Sequence, residues 1–92
     1  MDDNLLKIIN HYGVCEQLKK LSGKIYYLQE KILLGIGDNL SLYNIIKARE
    51  DVEILLRQID LYFDINYNDL TRGMVEKVNK QIERINNENR TQ

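Results

Sequence analysis

The residues best suited to chemistry in this chain are two sets of cations. Lys20, Lys24 and Lys31, with Tyr27 among them, recur at gaps of three and four residues, a spacing that places them on one stripe of an α-helix. Near the other end Lys77, Lys80, Gln81 and Arg84 repeat the pattern. Ammonium and guanidinium groups aligned in this way hold anions, phosphates above all, through charge-assisted hydrogen bonds. Tyr12, Tyr26 and Tyr27 add flat faces on which a base can stack, worth about 1–3 kcal/mol per base in comparable contacts. Other chemistries have less to draw on. His11 and Cys15 are single copies, too few for a metal site of the His/Cys type. His11 reads instead as a residue favoured by the dipole at a helix C-terminus.

Composition narrows the class further. The 92 residues carry 13 Lys and Arg against 14 Asp and Glu, a balance that argues against a general nucleic-acid binder, whose domain is expected to be strongly basic. One cysteine cannot close an internal disulfide, in keeping with a reducing cytoplasm. The opening MDDNLLKIIN is acidic and lacks the long apolar core of a signal peptide, and no apolar run approaches the roughly 20 residues a membrane span needs. The expectation is a cytoplasmic protein with no membrane partner. It forms one domain over 1–85 and ends in a polar, frayed tail over 86–92. A chain this short often completes its core by oligomerising.

The elements that must position the cations follow from apolar periodicity. Asp2 or Asp3 is expected to cap a first helix whose buried face is Leu5, Leu6, Ile8 and Ile9, and Gly13 ends it. A second helix runs over about 14–34 with Leu18, Leu21, Ile25, Leu28 and Ile32 as its buried stripe. Gly23 in its interior costs about 1 kcal/mol relative to Ala, so either something packs close there or a larger residue has been lost. Residues 35–39, GIGDN, read as a turn; it lacks the Gly-Lys-Ser/Thr ending of a phosphate loop. Ser41 or Asn39 then caps a third helix reaching about Phe63, with Ile45, Val52, Leu56, Ile59 and Phe63 as its main stripe, widened by Leu55 and Tyr62. Arg49 lies on that stripe, to snorkel or to mark a polar seam. After a loop over 64–68, Asn68 caps a fourth helix with Val75, Val78, Ile82 and Ile85 on its buried side. No period-two alternation is long enough for a sheet. The predicted fold is an all-α, antiparallel four-helix bundle, completed by a homo-oligomer, a dimer or higher.

The order HYGVCEQLKKL, a helix, a Gly/Asn turn, NIIKAREDVEILLRQIDLYFDI and EKVNKQIERI resembles the small MazG-like nucleotide pyrophosphohydrolases, many of them phage-encoded, over about 11–85. The resemblance implies an all-α oligomer that splits nucleoside triphosphates with Mg²⁺ held by E-E-x-x-E on one helix and E-E-x-x-D on the next. A hard cation of this kind needs a few carboxylates in near-octahedral array, and it serves to neutralise phosphate and activate water. Here the first motif's glutamates would fall at Gly23, Lys24 and Tyr27. Those of the second would fall at Lys47 and Ala48, so that only Asp51 matches, as a remnant of the metal site. The basic segment, K-x-x-R-Q-x-x-R-I in the family, reads Lys77-Val78-Asn79-Lys80-Gln81-Ile82-Glu83-Arg84-Ile85, a close match.

The metal-binding half is therefore lost and the phosphate-facing half kept. The bland account is a retained fold in which Lys24 pairs with Asp51 and the other lysines are solvated. The sharper expectation is a protein with no catalytic residues, cofactor or metal that binds a nucleotide without hydrolysis. Lys24, Lys77, Lys80 and Arg84 would take phosphate, and Tyr12, Tyr26 and Tyr27 the base. Such a protein would act as a sponge for a nucleotide or cyclic-nucleotide signal in phage anti-defence. An inhibitor that binds a host defence protein through Tyr62, Tyr67 and polar faces is the alternative, and a surviving Mg²⁺-dependent pyrophosphohydrolase is a third.

Overall fold

The computed structural model describes residues 1–36 and 41–90, and over these it is helical with no strand. Four helices follow one another: α1 (Asp2–Tyr12), α2 (Val14–Ile36), α3 (Leu42–Tyr62) and α4 (Tyr67–Arg90). Gly13 turns the chain between α1 and α2 at φ 92°, a conformation glycine adopts without steric cost. No side chain caps α1; Asp2, expected to do so, instead accepts from Arg57 Nε at 3.0 Å. α2 continues to Ile36, so Gly35 is helical rather than part of a turn. Gly37, Asp38 and Asn39 lie outside the described residues. Ser41 caps α3, its Oγ accepting from Asn44 N–H at 3.3 Å.

The joint between α3 and α4 is fully specified. Asp64 takes a left-handed conformation at φ 53°, Ile65 N–H donates to Asp60 O at 2.9 Å, and Asp64 N–H donates to Leu61 O at 3.4 Å. These two bonds form a Schellman closure, which satisfies carbonyls that the end of α3 would leave free. Asn66, not Asn68, caps α4: its Oδ1 accepts from the N–H groups of Asn68 at 2.8 Å and Asp69 at 3.3 Å. α4 runs on to Arg90, so residues 86–90 belong to the helix.

α2 and α3 form an antiparallel hairpin. Gln17 meets Gln58 and Lys24 meets Asp51, seven residues up one helix and seven down the other. α1 packs mainly on α3 and touches α2 less. The core is Leu5, Ile9, Ala48, Val52 and Leu55, together with the amides Gln17 and Gln58. It differs from the stripes read off the sequence. On α2 the line facing α3 is Gln17, Leu21, Lys24 and Leu28, while Leu18, Ile25 and Ile32 stand 43–47 % exposed. On α3, Ala48, Leu55 and Gln58 take the buried line and Leu56 and Phe63 stay exposed. Arg49 lies outside, paired with Glu53 at 3.0 Å. Both shifts have one cause. A hairpin of two helices covers only one flank of each apolar arc, and α1 then covers the flank on the side of Gln58.

α4 departs most from expectation. It has no buried residue and packs against none of the other helices; only Tyr67 at its start comes near, its ring 5.9 Å from the Arg57 guanidinium. Val75, Val78, Ile82 and Ile85, expected on a buried side, are each about half exposed. The radius of gyration is 17.4 Å, against about 12 Å for a compact chain of this length.

Candidate functional site

The hairpin flank that carries the lysines of α2 is built on a buried amide pair. Gln17 Nε2 donates to Gln58 Oε1 at 2.7 Å, with both residues all but inaccessible. Above it opens a cleft of about 250 Å³, walled by Ile8, Ile54 and Leu55 and rimmed by Lys20, Lys24 and Asp51. Lys24 Nζ lies 3.6 Å from Asp51 Oδ2, both side chains well exposed, so this pair is screened and contributes little stability. Lys20 and Gln17 also line a neighbouring hollow of about 460 Å³ with Tyr12, Glu16 and Lys19. The two make one furrow along the first half of α2. In it Lys19 is paired with Glu16 at 3.3 Å and Lys24 with Asp51, whereas Lys20 makes no ion pair among the described residues.

The residues singled out in the sequence divide between this furrow and other places. Lys24, Asp51 and Tyr12 border it. Tyr12 is 60 % exposed and meets His11 edge-on at 4.7 Å. Tyr27 is on the same flank one turn beyond Lys24, its ring already covered by Lys31 Nζ at 4.9 Å. Tyr26 does not join them. It stands two residues from Lys24, about 200° around the helix, and is 63 % exposed. Lys80 and Arg84 share a shallow hollow of about 450 Å³ on α4 with Glu83, Asn87 and Glu88, and Lys77 is on the same stripe. Because α4 does not pack on α2 or α3, one chain does not bring Lys77, Lys80 and Arg84 to the furrow.

Sequence reasoning placed Lys20 on the basic stripe without assigning it a role, and it missed Gln17 and Gln58. The available signal was their position. Each amide continues a line of buried residues, and a long polar side chain on such a line must find a partner.

Among the described residues no group of three or more His, Cys, Asp or Glu is placed to hold a metal ion, and no helix is long and apolar enough to cross a membrane. The furrow offers an unpaired ammonium, a second cation held by a carboxylate, a buried amide floor and an aromatic ring at one end. That set can bind an anion carrying a flat group. No protein-family model matches the chain, and no match was found among curated proteins or solved structures.

Proposed function

We propose that the protein binds a phosphorylated ligand, a nucleotide or cyclic nucleotide, in the furrow of α2 and does not hydrolyse it. The observation that carries this reading is Lys20, an ammonium without an ion-pair partner among the described residues, set between Tyr12 and the Lys24–Asp51 pair. Phosphate bridges Lys20 and Lys24 while the base lies on Tyr12. Asp51, the one acid matching the metal motifs of the MazG-like resemblance, faces an ammonium where an enzyme of that kind would hold Mg²⁺. Retention without turnover lowers the free concentration of the ligand. The corresponding role is a sponge for a nucleotide signal, of the kind a phage would use against host defence.

Calorimetry against linear and cyclic nucleotides, in Mg²⁺ and again in EDTA, tests the reading. The expected result is micromolar binding that is independent of Mg²⁺, with the nucleotide recovered intact. Lys20→Glu should weaken it tenfold or more, about 1.4 kcal/mol, and Tyr12→Ala should weaken it by a comparable amount. No binding to any nucleotide, or Mg²⁺-dependent release of pyrophosphate, would overturn it.

A second reading, an inhibitor that docks on another protein, is favoured by one observation: Tyr62 and Phe63 meet edge-on at 5.0 Å and stand exposed at the end of α3. Aromatic clusters of this kind anchor interfaces.

A further inference from the structure

The chain exposes two apolar surfaces that do not meet within one copy. The first is the hairpin flank opposite the furrow. The Gln17–Gln58 and Lys24–Asp51 pairs fix one flank of α2 and α3, so Leu18, Ile25 and Ile32 on α2 share the other with Leu56 and Phe63 on α3; of these, Leu56 also borders a hollow with Met1 and with Leu5 of α1. All five are 43–56 % exposed. The second is α4, where Leu70, Met74, Val75, Val78, Ile82 and Ile85 span an arc of roughly 140° at 100° per residue. An arc so wide exceeds the narrow seam of a two-stranded coiled coil and suits a groove between two helices.

We propose that α4 of one copy seats in the α2–α3 groove of a second copy, and that the exchange is reciprocal. Lengths agree: Leu18 to Ile32 rises about 21 Å and Leu70 to Ile85 about 23 Å. Lys77, Lys80 and Arg84 flank one side of the apolar arc of α4; the α3 edge of the groove carries Asp60 together with Arg49 and Glu53, which pair with each other at 3.0 Å. The area fits a second copy. The chain exposes 7707 Å², whereas a compact monomer of its mass exposes about 5,600 Å². The surplus of roughly 2,100 Å² per chain lies within the range that obligate homodimers bury. Asp64 and Ile65 close the end of α3 and Asn66 caps α4, and with the joint so arranged α4 makes no contact with its own hairpin. A two-fold exchange closes both surfaces in one contact, and it stands whether or not the furrow holds a nucleotide.

Light scattering on the full chain, in a Cys15→Ser background that prevents disulfide artefacts, should give the mass of two chains at micromolar concentration. Ile25→Glu spoils the groove and leaves the arm, while Ile82→Glu spoils the arm and leaves the groove. Neither residue is in the α1–α3 core, and far-ultraviolet circular dichroism reports whether each variant keeps its helix. Each alone should be monomeric, with the dimer Kd raised about a hundredfold or more by a charge buried without a partner. Mixed one to one, they should form a dimer through the single arm and groove that remain intact. Ile32→Glu with Val78→Glu repeats the experiment at independent positions. A monomeric wild type, a dimer that survives Ile25→Glu, or two pairs of folded variants that fail to rescue each other would overturn the proposal.

Discussion

Ile9 in α1 and Ile82 in α4 each belong to the apolar stripe of an amphipathic helix, yet Ile9 is 0 % exposed and Ile82 50 %. The α1–α3 unit buries part of its apolar surface internally, Ile9 included, and α4 buries none of its own. An apolar stripe therefore states that a face is to be covered without saying by which molecule. Truncation separates the two regions most sharply. Ile9→Ala should cost about 3 kcal/mol, the transfer term plus a cavity in a small core, and lower Tm by roughly 4–8 °C for each of those kcal/mol. Ile82→Ala, measured at high dilution, should change stability by less than about 0.5 kcal/mol. Calorimetry at two protein concentrations breaks the comparison if Ile82→Ala is as costly as Ile9→Ala when dilute. It sharpens the comparison if the cost appears only as concentration rises.

A smaller effect tests what holds the hairpin in register. Gln58→Ala leaves the buried amide of Gln17 without its partner, and an orphaned polar group of this kind costs about 1–3 kcal/mol. Replacing both by Leu removes both polar groups at similar volume and should be close to neutral. A denaturant double-mutant cycle reads the difference as a coupling energy. Equal losses for the single and double variants would mean that the amide pair contributes packing alone.

The sequence made the helices legible and their neighbours less so. Four elements, the glycine stop at Gly13 and the Ser41 cap were readable because capping and periodicity are local. The buried lines were not. Leu18, Ile25 and Ile32 form as regular a stripe as Leu21 and Leu28, and only the hairpin's flank decides which set faces α3. At the α3–α4 joint the cap moved from Asn68 to Asn66 because the left-handed turn at Asp64 brings the chain into α4 two residues early, at Tyr67. The site was partly legible. Lys24 opposite Asp51 was anticipated as an ion pair, and the two stand 3.6 Å apart. The furrow that joins Lys20 to Tyr12 depends on how α1 lies against α2, which no spacing within either helix encodes. Gly23 also fits this limit. A Cβ added there meets nothing within 4 Å, so close approach within the chain does not account for the glycine.

The smallest effect concerns the seam between the start of α1 and the end of α3. Arg57 Nε donates to Asp2 Oδ1 at 3.0 Å, and this hydrogen bond, more than the unlike charge, holds the Asp2 carboxyl below the ordinary value of 3.8 and the Arg57 guanidinium above its own. A carboxyl with a depressed folded-state pKa favours the folded state once pH exceeds the unfolded value, and that contribution fades as pH falls through the folded value. The arginine shift works in the opposite direction and only at extreme alkaline pH, so between pH 2 and 8 the carboxyl alone sets the slope. Wild type should therefore lose slightly more stability than Asp2→Asn on acidification below about pH 4, and the two curves should converge at the acid end. The loss should remain small because both side chains are well exposed to water, where ion pairs are screened. Urea titrations of both proteins from pH 2 to 7 measure it. Parallel curves would show that the pair has no part in fixing α1 on α3, leaving Leu5 and Ile9 to do so alone.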